Sequence, residues 1–358
     1  MKTALILTTI NVPRVLSFYR ALDPDVRFFV ACDEKTPGEA YDFCSSISNC
    51  AFYSPDKQKD LGWECSSLMG WNTIARRNVA LLEALKWGAD VIISVDDDNI
   101  PIGFPYSPWF ISKLFPTAPF VGVKVVCDVT RLERLGEPGW FDPGSLQFPV
   151  AGPPVCQRGF PPGVKNYRRF FEPVVGARIG VAQGMVLGDP DTSAVDRISR
   201  RPEVHQVSEL LRSGLVTDPR ETWAPLNSQN IAFTCQLSPC FLMVPQFDRY
   251  MDICAGLVAQ RVMRELGLYV HFGQPFVWQQ RNNHDLLDDL RAEKWGMENI
   301  EAFAEHLNSA IADFSDRKRD VLGMLIAIWA VVDGFKPMPE GVAMLNEAWI
   351  RDCAKAMG

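Results

Sequence analysis

Short apolar runs alternate with segments of helical spacing over the first hundred residues of the chain. Residues 3–10, 26–32 and 91–95 are apolar and rich in β-branched side chains, which is typical of buried strands. Residues 12–22 and 72–87 carry apolar side chains at the spacing of a helix. Strands that are apolar on both faces and alternate with helices indicate a parallel sheet. The pattern therefore predicts an α/β fold in which helices flank a mostly parallel sheet.

Polar residues follow each of the three predicted strands directly. Asn11 follows the first strand, Asp33 follows the second, and the triplet Asp96, Asp97 and Asp98 follows the third. Ligands of such sheets bind beyond the carboxyl ends of the strands, where these ends meet. We therefore expect these side chains to converge on one crevice and to bind substrate.

The acidic triplet is the strongest local signal in the sequence. Alternation along a strand places Asp96 and Asp98 on one side and Asp97 on the other. Two carboxylates ~5 Å apart repel by about 3 kcal/mol at an effective dielectric constant near 20. A hard divalent cation, Mn²⁺ or Mg²⁺, that also bridges a diphosphate would offset this repulsion. The alternative interpretation is an acidic turn completed by Asn99 and Pro101.

Two arginines, Arg76 and Arg77, lie near the start of the helix predicted over residues 72–87. A helix N-terminus binds phosphate through its free N–H groups and its dipole. An arginine placed there loses about 0.3–1 kcal/mol of dipole energy. This conflict indicates that the two arginines bind an anion, and the alternative is a pair of solvated arginines on an exposed face.

The pattern changes in the second half of the chain. Residues 136–188 are rich in proline and glycine without periodicity, which predicts an irregular lid or acceptor region, or else a flexible linker. Residues 232–244 and 269–272 have the pattern of strands, and residues 252–266 that of a helix. From about residue 295, three amphipathic helices are predicted as a C-terminal helical extension.

Composition and charge narrow the class of protein. Of the 358 residues, 47% are apolar and 22% charged, which excludes disordered, collagen-like and coiled-coil classes. The net charge of −7 argues against nucleic acid as a partner. No apolar run approaches the ~20 residues that span a bilayer, and the N-terminus lacks the pattern of a signal peptide. We therefore expect a cytoplasmic enzyme without a membrane span, and its ten scattered cysteines are expected to stay reduced.

Two further polar positions are candidates for binding. His284 follows a late strand-like segment, and imidazole is a common metal ligand, so we expect it to bind the metal; polar surface is the alternative. Asn230 ends a run of neutral donors and acceptors, Asn227-Ser228-Gln229-Asn230, of the kind that sugar recognition requires. A capped turn is the alternative for this run.

The ordered set of motifs resembles a known superfamily. The Ala-Arg-Arg-Asn helix and the Asp-Asp-Asp strand end are similar to the nucleotide-sugar half of the Rossmann-like glycosyltransferase A fold. More specifically, the chain resembles the reversibly glycosylated polypeptides, which are UDP-arabinopyranose mutases, and the related STELLO-type glycosyltransferases. The resemblance covers roughly residues 1 to 300 at low identity and continues through Gln157-Arg158-Gly159-Phe160-Pro161, Gln183-Gly184, Asp189-Pro190-Asp191, Arg249-Tyr250-Met251-Asp252, Ala255-Gly256 and Gly273-Gln274-Pro275-Phe276-Val277-Trp278.

The resemblance implies an organisation and an activity. Residues 1–294 would form the catalytic domain, with residues 1–100 as its nucleotide-binding half, and residues 295–358 the helical extension. The implied activity is metal-dependent transfer of a sugar from a nucleoside diphosphate sugar, a UDP-sugar, to an unidentified acceptor. The alternatives are a UDP-sugar (pyranose/furanose) mutase and a non-catalytic nucleotide-sugar-binding subunit. Assembly into a homo-oligomer stays open.

The resemblance also assigns roles to residues of the donor site. Asp96 and Asp98 would handle the ribose and the metal, and Asp33 the base or the ribose. Arg76 or Arg77 would contact the diphosphate. Gln183 and Gly184, in one of the matching blocks, are expected to contribute to substrate binding.

Two residues would carry the chemistry in this resemblance. Asp252 would be the acceptor-side base of an inverting transfer or would hold the sugar hydroxyls. The paired Asp-Asp of the family is Met251-Asp252 here, so only the second carboxylate is present. Arg158 matches the arginine that becomes glycosylated in the mutases, and a contact to diphosphate or acceptor is the alternative.

Overall fold

A computed structural model describes residues 1–103, 105–128, 138–164, 168–282, 284–310 and 320–358. The described residues form an α/β structure with a large mixed sheet, flanking helices and a C-terminal helical region. Its strands are β1 Thr3–Thr9, β2 Arg27–Cys32, β3 Cys50–Tyr53, β4 Val91–Val95, β5 Asn99–Pro101, β6 Val121–Asp128, β7 Gly139–Trp140, β8 Gln147–Pro149, β9 Arg168–Val175, β10 Ile179–Gln183, β11 Val186–Gly188, β12 Val204–Val207, β13 Leu215–Thr217, β14 Thr222–Trp223, β15 Asn230–Thr234, β16 Tyr269–Phe272 and β17 Val277–Gln279.

The helices pack against these strands or against one another. They are α1 Val15–Leu22, α2 Glu39–Ser46, α3 Pro55–Asp60, α4 Glu64–Leu68, α5 Arg77–Trp87, α6 Tyr106–Leu114, α7 Ala194–Ser199, α8 Glu209–Ser213, α9 Met251–Leu266, α10 Leu286–Ser309, α11 Val321–Val332 and α12 Val342–Met357. Short 3₁₀ helices cover Ile74–Arg76, Pro143–Leu146, Cys235–Cys240 and Pro245–Tyr250. No helix within the described ranges is long and apolar enough to cross a membrane.

The main sheet has ten strands in the order β3-β2-β1-β4-β15-β10-β16-β13-β6-β9. The first four strands are parallel, as the alternating pattern predicts. Strands β15, β13 and β6 run opposite to the other strands of the sheet. Strand β15 pairs antiparallel with both β4 and β10, and β13 pairs antiparallel with β16. Strand β6 pairs parallel with β13 and antiparallel with β9. The sheet is therefore mixed. A second sheet, in the order β5-β17-β11-β12-β8, begins directly after the acidic triplet.

Hydrophobic cores cover both faces of the main sheet. Every residue of β1 and of β4 is buried, which explains why these segments are mostly apolar, and Ser94 is the one polar residue of β4. One core joins α5 and α9 to the C-terminal helices and includes Leu81, Met263 and Trp349. The other core, on the opposite face, includes Leu5 and Phe110. The sheet edges, rather than its faces, are therefore the places where a ligand can reach polar groups.

Three predicted boundaries differ from the structure. The helix predicted over 72–87 begins at Arg77, after the short 3₁₀ turn Ile74–Arg76. Residues 136–188 are not irregular throughout, because β9 pairs with β6 over eight residues and β10 lies inside the main sheet. The strand predicted over 232–244 ends at Thr234, where a 3₁₀ helix that contains Pro239 begins. For residues 136–188, pairing with distant strands outweighs the local pattern.

The C-terminal region consists of the three predicted helices. Its first helix, α10, begins at Leu286, where the Asp285 carboxylate accepts hydrogen bonds from two backbone N–H groups. The predicted domain boundary after residue 294 therefore lies inside a continuous helix. Helix α12 packs on α4 and α5, and its Trp349 indole N–H donates to Pro239 O at 2.7 Å.

One buried histidine makes the stability of the fold sensitive to acid. His271 on β16 has no exposed surface, packs 5.2 Å from the Trp109 ring, and neither ring nitrogen has a hydrogen-bond partner among the described residues. Burial, with the nearby charge of Lys113, lowers the pKa of His271 to about 3. The unfolded chain binds a proton below its pKa of about 6.5, whereas the folded protein does not, so stability falls as the pH falls below that value.

We expect the burial of His271 to lower the free energy of unfolding by about 2 kcal/mol when the pH falls from 7 to 5. His271→Leu should remove this part of the acid dependence, as measured by urea unfolding at the two pH values. His205→Gln, at a ring that is 48% exposed, is the control and should follow the wild type. Equal pH dependence of the wild type and His271→Leu would contradict the prediction.

Candidate active site

A cleft of about 510 Å³ lies at the carboxyl edge of strands β1, β2 and β4. The end of β17, the start of β15 and the start of α9 complete its walls. The residues predicted from the sequence that line it are Asn11, Asp33, Arg77, Asp96, Asp97, Asp98, Arg158, Asp252 and His284. The expected convergence at one edge of the sheet is therefore observed for these residues.

All three carboxylates of the acidic triplet line the cleft. Strand β4 ends at Val95, and the triplet forms a turn in which Asn99 N donates to Asp96 O at 3.3 Å. The alternation expected for a strand does not apply to a turn, so Asp97 also faces the cleft. Its Oδ2 accepts hydrogen bonds from Thr9 Oγ1 at 2.5 Å and from Asn11 Nδ2 at 3.3 Å.

The charges of the triplet are compensated unequally. Arg77 Nη2 donates to Asp96 Oδ1 at 2.5 Å, whereas the one side-chain donor to Asp98 among the described residues is Gln279 Nε2, at 3.3 and 3.4 Å. Burial, together with the negative charges of Asp96 and Asp97, raises the pKa of Asp98 to about 7. Asp98 is therefore the carboxylate of the triplet with the weakest compensation, and a cation bound there would relieve the repulsion.

Arg77 connects the triplet to the strand behind it. Besides Asp96, its guanidinium donates through Nη1 to Ser94 Oγ at 3.2 Å and to Ser228 O at 3.0 Å. The side chain is only 3% exposed. Arg77 is thus an internal counter-ion that orients Asp96 at the wall of the cleft.

Asp33 shapes the opposite wall through the backbone. Its carboxylate accepts hydrogen bonds from Asn72 N at 2.6 Å and from Thr73 N at 3.0 Å. Asn72 has a φ of 59°, a left-handed conformation that asparagine tolerates better than most residues. Asp33 therefore holds the turn that presents Asn72 and Thr73 to the cleft, and this turn leads into the helix of Arg77.

Arg158 lines the cleft and lies between two buried carboxylates. Its Nε and Nη2 donate to both oxygens of Asp191 at 2.9 and 2.8 Å, and its Nη1 and Nη2 donate to both oxygens of Asp252 at 3.2 Å. Burial opposes the charge of Arg158, but the attraction of the two carboxylates is larger and raises the pKa of Arg158 well above its usual value. The pKa of Asp191 is lowered, because Arg158 outweighs its burial.

Asp252 is further fixed by the polar segment that precedes β15. Its Oδ2 accepts hydrogen bonds from Ser228 N at 3.2 Å and from Ser228 Oγ at 3.3 Å, and its Oδ1 accepts one from Ile253 N at 3.0 Å. Asp252 lies in the first turn of α9. The carboxylate therefore joins α9 to the loop of Arg158 and to Ser228.

His284 lies at the outer rim of the cleft. Its Nδ1 is 3.2 Å from Asp289 Oδ1, and the Arg249 guanidinium contacts the same oxygen at 3.1 Å. Over the described part of the chain, no three His, Cys, Asp or Glu side chains form a group that could hold a metal ion by themselves. A metal in this cleft would therefore need ligand atoms from a bound substrate or from water.

Some residues predicted from the sequence lie behind the cleft rather than in its lining. Arg76 is fully buried: its Nε and Nη2 donate to Gln58 Oε1 at 2.9 and 2.6 Å, and its Nη1 donates to Ser66 O at 2.8 Å. Arg76 thus braces the segment before α5, because its donors are used by groups of the protein.

Gln183, Gly184 and Asn230 form a buried layer between β10, β15 and β17. Asn230 accepts from Tyr106 Oη at 2.5 Å, and Gln183 Nε2 donates to Asn230 O at 3.0 Å. A Cβ atom at Gly184 would lie 2.4 Å from Asn230 Nδ2, so the close approach requires glycine. These residues position the start of β15 and do not line the cleft.

Ser228 and Gln229, from the polar run that precedes β15, also line the cleft. Polar residues that the sequence pattern did not single out line it too: Thr8, Thr9, Asn72, Thr73, Asp191, Arg249, Gln279, Arg281 and Asn282. Gln279 and Arg281 lie at and just beyond the end of β17. The rule that identified Asp33, a polar residue directly after an apolar run, would have identified Gln279, which follows Trp278, but not Arg281.

A larger cleft of about 860 Å³ lies at the opposite edge of the main sheet. Its walls include Phe115, Pro116, Pro119, Phe120 and Leu268, and the residues that line it are largely apolar. The groups able to perform acid–base or ion-binding chemistry are concentrated at the carboxyl edge instead. We therefore take the smaller cleft as the candidate active site.

The contacts of Arg158 lead to a prediction about stability. Arg158→Gln removes the hydrogen-bonded counter-ion of the buried Asp191 and Asp252, which should lower the free energy of unfolding by about 3–5 kcal/mol. Urea unfolding measures the loss. Arg291→Gln is the control, because that guanidinium and its Asp288 partner are 72% and 71% exposed, and its effect should stay below about 1 kcal/mol. Similar effects of the two substitutions would show that the buried ion pairs do not stabilise the fold.

Comparison with known proteins assigns no function to this cleft. No protein-family model matches the chain, and no curated protein is significantly similar to it. The geometry of the cleft is therefore the basis on which a function is proposed.

Proposed function

We propose that this chain is a metal-dependent glycosyltransferase that takes a sugar from a nucleoside diphosphate sugar, a UDP-sugar. The observation that carries the proposal is the acidic triplet at the carboxyl edge of β4, in a cleft that also contains guanidinium groups. The volume of about 510 Å³ lies within the range of about 300–1,000 Å³ that is usual for sites of small ligands. The carboxylates can bind a cation, and guanidinium groups beside them can bind an anion. Together they suit a metal–diphosphate as the ligand.

The triplet suits a hard divalent cation, Mn²⁺ or Mg²⁺. Asp96 and Asp98 provide carboxylate oxygens, and burial with the charges of Asp96 and Asp97 raises the pKa of Asp98 to about 7. Mg²⁺ commonly binds one or two carboxylates and completes its shell with phosphate oxygens and water. Such a cation would supply a positive charge that offsets the charge developing on the leaving diphosphate. His284, at the rim, is the further candidate ligand.

Two groups of cleft residues suit the two parts of such a donor. Thr9, Asn11 and Asn72 line the cleft and offer neutral donors and acceptors for a nucleoside. Arg158 and Asp252 lie beside Ser228, whose carbonyl oxygen accepts from Arg77. The sugar would bind between the triplet and this buried pair, where its anomeric carbon is open to attack by an acceptor.

Asp252 is the proposed acceptor-side base. Its carboxylate accepts five hydrogen bonds, of which the one from Ser228 Oγ, at 3.3 Å, is the longest. An acceptor hydroxyl can replace the serine hydroxyl as a donor to Asp252. Its oxygen would then attack the anomeric carbon, its proton would pass to Asp252, and the bond from sugar to diphosphate would break.

The contacts of Arg158 favour a transferase over a mutase that forms a glycosylated arginine. A guanidinium must lose a proton to become a nucleophile, and two carboxylates raise the pKa of Arg158 well above its usual value. The side chain is also only 7% exposed and donates from all three nitrogens. These contacts support a role for Arg158 in orienting Asp252.

Binding of UDP with Mn²⁺ should raise the melting temperature of the protein. A ligand that binds only the folded state adds about 2.7 kcal/mol at a hundredfold excess over its Kd. EDTA should abolish most of the shift, which differential scanning fluorimetry measures. Asp98→Asn should weaken metal-dependent UDP binding at least tenfold, or about 1.4 kcal/mol.

Asp56→Asn is the matched control, because this carboxylate is 94% exposed and lies outside the cleft. It should bind UDP as the wild type does. A shift that is the same in EDTA would contradict the role of the metal. A non-catalytic binding subunit would show the shift without release of sugar from any UDP-sugar.

Asp252→Asn should reduce sugar transfer by about 10²–10⁴-fold while UDP affinity changes only a few-fold, since the base acts on the acceptor. Product formation from a panel of UDP-sugars with Mn²⁺ and calorimetric titration of UDP measure the two quantities. Intact-protein mass spectrometry should show no stable sugar adduct on the wild type. An adduct that disappears in Arg158→Lys, together with an isomerised UDP-sugar, would establish the mutase instead.

A further inference from the structure

The cationic side chains of the cleft differ in how far the protein already neutralises them. Within the described ranges, four arginines line the cleft: Arg77, Arg158, Arg249 and Arg281. The first three donate to carboxylates at 2.5, 2.9 and 3.0 Å, respectively. Their charges are compensated by hydrogen-bonded ion pairs, so they have little capacity left for an anionic ligand.

Arg281 has a different environment. Its two ion pairs, from Nε to Asp189 and from Nη2 to Asp191, both span 3.9 Å, which is beyond hydrogen-bond distance. Its Nε is buried, and no described residue accepts a hydrogen bond from it. The side chain is nevertheless only 10% exposed. A guanidinium with open donors is thus held almost completely inside the cleft.

The carboxylates around Arg281 are themselves occupied. Asp189 accepts from the buried Arg197, and both oxygens of Asp191 accept from Arg158. Burial, with repulsion from Arg197, lowers the pKa of Arg281, which is the effect expected of a cation that lacks a close partner. The nearby carboxylates therefore do not offset the free energy that burial of the Arg281 charge costs, whereas a bound anion would.

The position of Arg281 relates it to the acidic triplet. It lies two residues beyond the end of β17, and Gln279, the last residue of that strand, donates to Asp98. Arg281 and Asp98 line the same cleft. A ligand in the cleft can thus contact both Arg281 and a cation held at Asp98.

We infer that Arg281 is the anion-binding residue of this cleft and that it binds the diphosphate of the nucleotide-sugar donor. The inference rests on the proposed function for the identity of the donor. A guanidinium presents a planar fork that matches two phosphate oxygens, which favours a diphosphate over a single carboxylate. The role that the sequence pattern assigned to Arg76 or Arg77 belongs to Arg281, because both of those side chains are engaged within the protein.

Titration with inorganic pyrophosphate in excess Mg²⁺ tests this inference without a nucleoside or a sugar. Arg281→Gln should weaken pyrophosphate binding at least tenfold, and Arg281→Lys, which keeps the charge without the fork, should lie between it and the wild type. Arg351→Gln removes an equal charge from a side chain that is 56% exposed on α12 and should bind as the wild type does. Without ligand, Arg281→Gln should melt no lower than the wild type, because Arg281 Nε donates to no described residue and the two ion pairs of the side chain span 3.9 Å.

Four outcomes decide the inference and separate it from the proposed function. Pyrophosphate binding by Arg281→Gln within twofold of the wild type overturns it, and so does the absence of binding to the wild type. Unchanged UDP affinity of Arg281→Gln with Mn²⁺ also overturns it but leaves the transferase proposal standing. Binding that depends on Arg281, without sugar transfer from any UDP-sugar, supports the anion site and contradicts the transferase. If Arg281→Gln does not fold, Arg281→Lys provides the comparison.

Discussion

The cleft depends on the buried guanidinium of Arg158. Two carboxylates, Asp191 and Asp252, lie within 3.2 Å of this one cation, and each is less than a tenth exposed. Burying two such charges without a counter-ion would cost several kcal/mol. The ion pairs also connect three parts of the chain that are distant in sequence: the loop of Arg158, the turn after β11 and the first turn of α9. These three parts of the chain therefore meet at Arg158, where they form one wall of the cleft.

The remaining charges of the cleft follow a gradient of compensation. Arg77 neutralises Asp96, Thr9 and Asn11 donate to Asp97, and among the described residues a glutamine is the only donor to the Asp98 carboxylate. Arg281 is the cationic counterpart of Asp98, since its two ion pairs span 3.9 Å and its Nε donates to no described residue. A weakly compensated anion and a weakly compensated cation at one edge of a sheet suit a ligand that brings both a cation and an anion. A metal–diphosphate has this composition.

Because the main sheet is mixed, it brings residues to the carboxyl edge that a purely parallel sheet would not place there. Because β15 runs antiparallel to β4, its start, rather than its end, lies at the carboxyl edge. The polar segment that precedes β15 can therefore donate to Asp252 and accept from Arg77 through Ser228. The second sheet places the end of β17 at the same edge. The parallel strand β4 thus presents the acidic triplet, and β15 and β17, which pair antiparallel with β4 and β5, respectively, bring Ser228 and Gln279 to the same edge.

The order of apolar and polar residues by itself determined where the strands β1, β2 and β4 end and hence that Asn11, Asp33 and the acidic triplet line one cleft. This information is local, because a polar residue directly after an apolar run marks the edge of a buried sheet. Only the tertiary structure decided which arginine is open to a ligand. Arg76 and Arg77 are neighbouring arginines that the sequence pattern does not distinguish from a ligand-binding arginine. Their side chains donate to Gln58 and Asp96, which belong to other segments of the chain. The pairing of β9 with β6 and the direction of β15 likewise depend on contacts between distant segments, which a local pattern does not encode.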